Sequence, residues 1–420
     1  MQRWAVLGAG ALGLTVALRL AERGDEVIIY ERESEPGGLA AGFPLGAAHL
    51  EKFYHHLFRT DHSAVGLIDE LGLGDRLEWH RPVTAVFREG RAWPMDSARS
   101  VLQFGPLSPL ERARLSAGLA YLKLSPSSPD NAETASEWIR RWMGNEAYRT
   151  LWEPLLRSKF GEHHDSIAMP WFWARVHLRT SRLGYLRGGF QQLYDSLAHR
   201  IAGLGSTVML DTTVEEVRPE AGKLQVRTNR GNDRFDAVVS TLPGPLTLRL
   251  VPSLPEVYKE RYATVDGLAA MCLVLALDRR LTDIYWLNLN DDGFPFQPLV
   301  EHTNLVGTGD YDGRHIVYLG NYLPVASELL RASPAQLLAA FEPHLKRINP
   351  SFRTSWVMET WLFRAPFAQP IVTPGYGRRR APHLTPVTGL YVANMFQIFP
   401  QDRGQNYSIR LADHLVQSVL

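Results

Sequence analysis

The chain has 420 residues, of which 45% are hydrophobic, and its formal net charge at pH 7 is +1. This length is enough for two structural domains, and the near-neutral charge excludes a broad basic surface for nucleic acid. The single cysteine excludes an intramolecular disulfide bond and any multi-cysteine metal or iron–sulfur site.

The first predicted elements form a strand–turn–helix–strand unit. Apolar patterning places the strand, the helix and the second strand at residues 4–7, 14–23 and 27–30. In the turn, Gly8 permits a tight bend, Gly10 lets the backbone approach a pyrophosphate, and Gly13 lets helix and strand pack closely. The helix N-terminus offers free N–H groups and a partial positive charge to phosphates. The unit therefore predicts a dinucleotide site.

The residues after the second strand favour FAD as that dinucleotide. Glu31 can accept hydrogen bonds from an adenosine ribose, and Pro36-Gly37-Gly38 supplies a second glycine pair. A nicotinamide dinucleotide is the alternative ligand, and a turn without any ligand is the structural alternative. Arg32 would suit a 2′-phosphate, but Glu31 beside it would repel one. The expected cofactor contacts in this region are Gly8, Gly10, Ala11, Leu12, Gly13, Glu31, Arg32, Gly37, Gly38 and Leu39.

Later elements are expected to return to the cofactor domain. They are a helix from 188 to about 204, short strands between 208 and 241, and a strand at 389–393 with a closing helix. The predicted FAD-binding domain is therefore discontinuous and comprises residues 1–80, 188–260 and 366–420. The predicted substrate-binding domain comprises residues 81–187 and 261–365.

The two segments of the predicted substrate domain differ in character. Residues 81–187 carry mostly helical patterns, whereas strands are expected at 269–277, 284–289, 299–306, 316–323 and 355–363. Their spacing predicts an antiparallel sheet that forms the floor of a substrate cavity, with helices on one side. The predicted fold class is α/β, with a Rossmann-like FAD-binding domain and a second, α+β domain built on an antiparallel sheet.

These motifs resemble the flavin superfamily of amine oxidases, phytoene desaturases, protoporphyrinogen oxidases and UDP-galactopyranose mutases. The helix start Gly188-Gly189-Phe190 and the strands at 236–243 and 389–393 add to the resemblance, which covers roughly half the chain. The segment 53–58 is similar to a His- and aromatic-rich stretch beside the isoalloxazine of the mutases, and 361–376 is closer to the protoporphyrinogen oxidase pattern. The resemblance implies a two-domain fold and non-covalently bound FAD.

The start of the final helix is expected to face the flavin. A reduced flavin carries negative charge near N1 and its C2 carbonyl, which a helix N-terminus aimed there would stabilise. Most of the superfamily has Gly-Asp or Gly-Thr after the last strand to hold the ribityl chain. This chain has Asn394-Met395, so that contact is expected from Asp402 or from the backbone. The further expected cofactor contacts are Val214, Asn394, Arg403, Gly404, Gln405, Asn406 and Tyr407.

A polar run in the predicted substrate sheet supplies candidates for acid–base chemistry. Consecutive polar residues within an apolar sheet need water, protein partners or a ligand. Glu301 and His302 are therefore predicted to line the active site, with a solvated edge strand as the alternative. His56, in the segment similar to the mutases, and Trp361, an aromatic candidate above the flavin, complete the predicted catalytic set.

Aromatic residues are candidates for the walls of the substrate site, although residues of this kind are common in protein cores and each one taken singly favours the structural interpretation. These candidates are Tyr54, Tyr185 and Tyr376. His49, His55 and His56 lack the arrangement of a metal site, because neighbouring side chains on a strand diverge and no third ligand has a comparable placement. The sequence therefore predicts no metal.

The predicted function is an FAD-dependent oxidoreductase that transfers a hydride from a small organic substrate to flavin N5. The alternatives are a flavin-dependent sugar isomerase similar to UDP-galactopyranose mutase and a non-catalytic flavin-binding protein. We expect a cytoplasmic protein, because no signal peptide and no apolar run of about 18 residues is evident. Residues 100–123 combine apolar and basic side chains, and we favour an ordinary amphipathic helix there over contact with a membrane surface.

Overall fold

The computed structural model describes residues 1–129, 132–263 and 267–420. Its strands, numbered in chain order, are β1 (Arg3–Leu7), β2 (Glu26–Tyr30), β3 (Gly42–Leu45), β4 (Ala48–Glu51), β5 (Leu57–Phe58), β6 (Leu77–His80), β7 (Thr84–Arg88), β8 (Arg91–Pro94), β9 (Leu183–Leu186), β10 (Thr207–Met209), β11 (Val214–Glu220), β12 (Lys223–Thr228), β13 (Gly231–Phe235), β14 (Ala237–Ser240), β15 (Gly267–Leu277), β16 (Trp286–Leu289), β17 (Leu299–Glu301), β18 (His315–Leu323), β19 (Val357–Pro370) and β20 (Leu390–Val392). Its helices are α1 (Ala11–Glu22), α2 (His62–Glu70), α3 (Ala98–Leu102), α4 (Pro109–Leu124), α5 (Ala135–Trp142), α6 (Asn145–Ala147), α7 (Glu153–Phe160), α8 (Met169–His177), α9 (Gln191–Gly203), α10 (Gly244–Leu250), α11 (Glu256–Ala263), α12 (Thr303–Val306), α13 (Pro334–Ile348), α14 (Tyr376–Arg379) and α15 (Gln405–Ser418).

A five-stranded parallel sheet forms the centre of the predicted cofactor region. Its strand order is β10-β2-β1-β14-β20, and every neighbouring pair runs parallel. β1 lies between β2 and β14, so the loop that leaves its carboxyl end enters the crevice where the strand order reverses. Sheets of this type bind ligands in that crevice. The sheet confirms the predicted Rossmann-like architecture.

Different layers cover the two faces of this sheet. Trp4 and Val6 belong to the core shared with α1, α9 and α15, whereas Ala5 and Leu7 pack with the β11–β13 sheet and α10. The alternation follows from the two-residue period of a strand, and burial of both faces explains why β1 is apolar throughout. Full burial of a side chain the size of Val6 or Leu7 contributes about 1.5–3 kcal/mol to the free energy of unfolding. The glycine turn after β1 is thus held on a rigid support.

A seven-stranded sheet, β19-β15-β18-β17-β16-β7-β8, forms the second large layer. Its neighbouring strands are antiparallel except β16 and β7, which are parallel. This confirms the predicted antiparallel sheet and adds two strands, β7 and β8, from a segment predicted to be mostly helical. β19 continues to Pro370, beyond the predicted boundary at 365. The division of the chain into domains stays a prediction.

The strand predicted at 299–306 is wrong in its second half. β17 ends at Glu301, His302 has helical backbone angles (φ −56°, ψ −40°), and α12 follows directly. β17 also lies between β16 and β18 in the sheet, so it is an interior strand. The alternative of a solvated edge strand is therefore wrong as well.

The helices of residues 98–177 form a layer, as the helical patterns there predict, and they supply most of the residues of one hydrophobic core. The 100–123 segment consists of α3 and α4, separated by a short connection. Ser108 and Glu111 form a capping box that begins α4, and Leu110 and Leu124 on this helix are 73% and 82% exposed. The choice between an ordinary amphipathic segment, which we favour, and contact with a membrane surface stays untested. No helix in the described ranges has the length and apolar character needed to cross a membrane.

Candidate active site

The turn after β1 has the geometry of a cradle for phosphate. Gly8 has φ +99°, which L-residues rarely adopt, and a Cβ at Gly13 would lie 2.0 Å from the Gly8 carbonyl oxygen. A Cβ at Gly10 would meet no atom within 4 Å. Gly8 and Gly13 are therefore required by the fold itself, whereas the absence of a side chain at Gly10 keeps the space beside the helix N-terminus open.

The second glycine pair lies directly against this turn. The Gly37 N–H donates to the Ala9 carbonyl at 2.8 Å, and a Cβ on Gly38 would approach the Gly10 Cα to 3.2 Å. α1 begins at this point with Gly10 as its N-cap and no side chain that caps it. The N–H groups of Ala11 and Leu12 in its first turn thus remain free for a ligand.

Glu31 stands at the carboxyl end of β2, as predicted. Its Oε2 accepts a hydrogen bond from the Ala9 N–H at 2.9 Å, and its Oε1 accepts from the Glu33 N–H at 3.0 Å. Each carboxylate oxygen keeps a further lone pair for a ribose hydroxyl. Arg32 is exposed and pairs with Glu33 at 3.0 Å. Val214 is the first residue of β11, and its contact with the cofactor stays a prediction.

The N-terminus of α15 reaches the same crevice from the other end of the chain. Gly404 is the N-cap and no side chain caps the helix, so the N–H groups of Gln405, Asn406 and Tyr407 are available. The Tyr194 hydroxyl donates to Gln405 Oε1 at 2.5 Å, while Gln405 Nε2 is buried and has no partner. The ring of Tyr194 also lies against Gly37, so the glycine pair and α15 are close in space.

These residues fit FAD. Two helix N-termini without side-chain caps, a glycine turn open at Gly10 and an unpartnered buried amide converge on one crevice. The α1 end would hold the pyrophosphate, Glu31 the ribose, and the α15 end the electron-rich edge of the isoalloxazine. Asn394 makes two hydrogen bonds within the protein: its Oδ1 accepts from the Phe396 N–H and its Nδ2 donates to the Leu242 carbonyl. Its contact with the cofactor stays a prediction.

A small cleft of about 40 Å³ opens beside the expected position of the isoalloxazine. Leu39 and Arg403, from the two cofactor-binding ends of the chain, form part of its wall. The remaining lining residues are Phe53, Tyr54, His55, Ala270, Met271, Cys272, Gly320, Asn321, Tyr322 and Ala368. They come from the segment after β4 and from β15, β18 and β19, so the antiparallel sheet supplies one wall of the cleft.

Tyr54 is the only predicted aromatic substrate contact that lines this cleft in the part of the chain that the structure describes. Its ring packs edge-on against Trp286 and Tyr318, at centroid distances of 5.0 and 5.9 Å. Tyr185 and Tyr376 are buried elsewhere, and their hydroxyls donate to Glu51 Oε2 at 2.8 Å and to the Phe396 carbonyl at 2.7 Å. The structure corrects these two assignments, because each phenol is satisfied inside the core.

The side chains of His55 and His56 point in different directions, as expected for neighbouring residues. His55 faces the cleft, and its Nδ1 lies 2.6 Å from the Phe53 carbonyl, so this nitrogen carries the proton and Nε2 is the acceptor. His56 points to Tyr285, with Nδ1 3.0 Å from the hydroxyl. Burial lowers the pKa of His55 to about 4 and that of His56 to about 3, so both are neutral at pH 7. No group of three potential metal ligands occurs within residues 1–129, 132–263 and 267–420.

Two members of the predicted catalytic set, His56 and Trp361, lie outside the lining of the cleft. Trp361 is half-buried on β19, where its ring packs against Phe43 at a centroid distance of 5.2 Å. His56 is held among Phe58, Tyr285 and Trp286. Neither residue lines the cleft, and their assignment to catalysis stays a prediction.

Glu301 and His302 are buried in the sheet and do not line the cleft. Glu301 Oε1 accepts from the Leu281 N–H at 2.9 Å, and Oε2 accepts from the Thr282 N–H and hydroxyl at 2.6 and 2.9 Å. His302 Nε2 lies 3.0 Å from the Tyr311 hydroxyl. The polar run thus finds the partners it needs within the protein, and the prediction that it serves acid–base chemistry is corrected to a structural role.

Replacing Glu301 with Gln is expected to lower stability and leave catalysis unchanged. The amide nitrogen cannot accept the hydrogen bonds that one carboxylate oxygen receives from the 281–282 turn. A buried donor left without an acceptor costs about 1–3 kcal/mol, and urea unfolding should show a loss of this size. The exposed Glu256→Gln is the matched control and should change little. Normal stability with turnover slowed by roughly 10²–10⁴-fold would restore the acid–base role.

A cluster of charges that the sequence did not predict lies at the edge of the cleft. Asp402 Oδ2 lies 3.0 Å from Lys159 Nζ and 2.9 Å from an Arg175 nitrogen, and Trp171 Nε1 donates to Oδ1 at 3.2 Å. Asp402 was expected near the ribityl chain, but these contacts occupy it. The only signal in the sequence was Arg175 within α8, a helix that is otherwise largely apolar. Arg403 donates to the Tyr322 hydroxyl beside this cluster.

Comparison with known proteins agrees with this geometry. Residues 13–398 match the family described as flavin containing amine oxidoreductase. All-trans-zeta-carotene desaturase of Myxococcus xanthus is 26% identical over 260 residues, which cover 52% of this chain and 48% of that protein. The chain spans about half the length of the curated relatives it matches first.

Solved structures show the same fold along nearly the full chain. An oxidoreductase from Methanosarcina mazei aligns with a TM-score of 0.78 and 18% identity, covering 99% of this chain and 100% of that one. A reduced UDP-galactopyranose mutase aligns with a TM-score of 0.75 and 15% identity, covering 99% and 96%. These likenesses and the matched residues confirm the resemblance found in the sequence. The chain belongs to the flavin-containing amine oxidoreductase family.

Proposed function

We propose that this protein is an FAD-dependent oxidoreductase that oxidises a small organic substrate in the cleft beside Leu39 and Arg403. The observation that carries the proposal is the position of this cleft, which opens where the glycine pair and the α15 N-terminus converge. FAD, when bound, supplies an acceptor for two electrons. The protein supplies the binding surface, the orientation of the substrate and the electrostatic environment.

The residues of the cleft have distinct roles in this proposal. Phe53 and Tyr54 form an aromatic wall that orients an apolar or planar substrate and excludes water. His55 presents Nε2 as a hydrogen-bond acceptor for an N–H or O–H group of the substrate. The free N–H groups at the start of α15 and the Arg403 guanidinium stabilise negative charge that develops at the cofactor edge.

The proposal is tested with the purified protein and an anaerobic substrate screen. We expect a yellow protein that releases one FAD per chain on denaturation, and whose visible flavin band bleaches on anaerobic mixing with a compound from the screen. The screen comprises amines, polyprenyl compounds, porphyrinogens and nucleotide sugars. A colourless protein that takes up no FAD contradicts the cofactor assignment. Turnover that occurs only after prior reduction and consumes no electrons would show a mutase-like isomerase instead.

A further inference from the structure

Tyr322 is a phenol in the wall of the cleft that is tied to the start of α15. It lies one residue before the end of β18 and lines the cleft together with Arg403. Arg403 donates a hydrogen bond to the Tyr322 hydroxyl and directly precedes Gly404, the N-cap of α15. The phenol is therefore held against the segment of the chain that is expected to face the isoalloxazine.

The hydroxyl of Tyr322 has a hydrogen-bond donor beside it and no acceptor. A guanidinium carries only donors, so the bond from Arg403 uses a lone pair of the phenol oxygen and leaves the phenol proton free. In the described parts of the chain, no oxygen or nitrogen accepts a hydrogen bond from this hydroxyl. The core residues Tyr185 and Tyr376, by contrast, each donate to an acceptor, at 2.8 and 2.7 Å. The proton of Tyr322 is thus available to a molecule in the cleft.

Two cations lie against the ring of this phenol. The ring centroid is 5.1 Å from Lys159 Nζ on α7 and 5.3 Å from the Arg403 guanidinium carbon, within the range of cation–π contact. Arg175 on α8 adds to the positive field, while Asp402 opposes it but is already in contact with Lys159 and Arg175, at 3.0 and 2.9 Å. Burial alone would raise the pKa of the Tyr322 phenol, but Arg403 and Lys159 hold it below its ordinary value. The surroundings therefore favour the phenolate.

The other titratable groups that line the cleft are poorly suited to take up a proton near pH 7. Burial lowers the pKa of His55 to about 4, so its ring holds an added proton weakly. Burial and the neighbouring Tyr322 raise the pKa of Tyr54 well above its ordinary value, so Tyr54 keeps its proton. Burial also raises the pKa of the Cys272 thiol, and the Arg403 guanidinium stays charged. Among the residues that line the cleft, Tyr322 is therefore the group best able to lose and regain a proton.

A two-electron oxidation removes two hydrogens from the substrate. One leaves as a hydride with both electrons, which FAD accepts when bound, and the other leaves as a proton while a double bond forms between two substrate atoms. We propose that the Tyr322 phenolate receives this proton at its hydroxyl oxygen, which makes Tyr322 the general base of the cleft. Water takes the proton when the product leaves, and the phenolate is restored. This inference rests on the proposed function, which places the substrate in the same cleft.

Tyr322→Phe removes the hydroxyl and keeps the ring that Lys159 and Arg403 contact, so the variant should fold and bind FAD. We expect the compound from the anaerobic screen to bleach its flavin roughly 10²–10⁴-fold more slowly, the range for the loss of a general base. In the unmodified protein the rate should rise with pH as Tyr322 ionises, and the variant should lose this component of the pH profile. Tyr258→Phe is the matched control. It removes a buried phenol without a hydrogen-bond partner from α11, outside the cleft, and should change neither the rate nor its pH dependence.

The ionisation of Tyr322 is also measurable without turnover, from the ultraviolet absorbance of tyrosinate during a pH titration of the FAD-loaded protein. The chain has 15 tyrosines, so the signal of Tyr322 is the difference between the unmodified protein and Tyr322→Phe. We expect this difference to titrate below about pH 10, the ordinary pKa of tyrosine. The corresponding difference for Tyr258→Phe should titrate at higher pH, because burial raises the pKa of Tyr258 to about 12. Lys159→Met leaves the Tyr322 hydroxyl in place but removes one cation beside it. Ionisation of Tyr322 and the rise in rate should therefore both move to higher pH in this variant.

Three outcomes would overturn the inference. These are equal rates of bleaching in Tyr322→Phe and the unmodified protein, ionisation of Tyr322 only above about pH 10, and an unchanged pH profile in Lys159→Met. The FAD content and thermal unfolding of each sample are measured separately. A protein without FAD, or a yellow protein that no compound bleaches, contradicts the proposed function, and the inference falls with it. Bleaching that does not depend on Tyr322 contradicts only this inference.

Discussion

Gly10→Val is expected to give a folded protein that has lost FAD. The backbone at Gly10 is extended, with φ −75° and ψ 176°, which valine adopts without strain. A Cβ at this position meets no protein atom within 4 Å, so the fold tolerates it. The branched side chain would instead occupy the space in front of the α1 N-terminus, where a pyrophosphate must contact the backbone. We expect FAD affinity to fall by about a thousandfold or more, equivalent to roughly 4 kcal/mol.

The comparison with Gly13→Val separates cofactor binding from folding. A Cβ at Gly13 would lie 2.0 Å from the Gly8 carbonyl oxygen, so that variant should misfold and be recovered poorly. Gly66→Ala, within α2 and with no atom near its Cβ, should keep both FAD and stability. The measurements are the flavin absorbance of purified protein and its thermal unfolding. FAD retained in Gly10→Val would contradict the placement of the pyrophosphate.

Cofactor-binding elements were predictable because their signals are local. The turn residues Gly8, Gly10 and Gly13 lie within one strand–turn–helix unit, and each has a distinct physical role. The α15 N-terminus was predictable for a similar reason, since Gly404 stands directly before an amphipathic helix. Short-range patterns of this kind also located most strands of both sheets. The order and register of those strands could not be predicted, because both depend on contacts between segments that are distant in the sequence.

The cleft was predicted poorly because its residues come together from distant segments. The polar run at Glu301 correctly indicated that its side chains need hydrogen-bond partners. The N–H groups that donate to Glu301 lie 19 and 20 residues earlier in the chain, in a turn without a distinctive sequence pattern. Arg175 and Asp402 are 227 residues apart, and no local sequence pattern around either residue indicates that the two side chains contact each other. Aromatic side chains such as Tyr185 and Trp361 are common in cores, so the sequence alone does not distinguish the few that line a cavity.

Asp402→Asn is expected to be strongly destabilising. The substitution keeps the shape of the side chain but leaves Lys159 and Arg175 without their common carboxylate. Removing one partner of a buried ion pair costs about 3–5 kcal/mol, and we expect about 3 kcal/mol because the Arg175 side chain is 37% exposed. Asp283→Asn is the control, since Asp283 pairs with Arg280 while 89% exposed, and it should cost less than about 1 kcal/mol.

The pH dependence of Asp402→Asn provides an independent check. Burial alone would raise the pKa of Asp402, but Lys159 and Arg175 hold it well below its ordinary value. The stabilisation is therefore complete above the pKa of an unfolded Asp, near 3.9, and is lost as the pH falls below that value. Urea unfolding should show a constant deficit in the variant from pH 7 to about 5, narrowing on further acidification. Lys159→Met added to the variant should recover part of the loss, because it removes an unpaired buried cation. A deficit no larger than that of Asp283→Asn would mean that the cluster contributes no more than a surface ion pair.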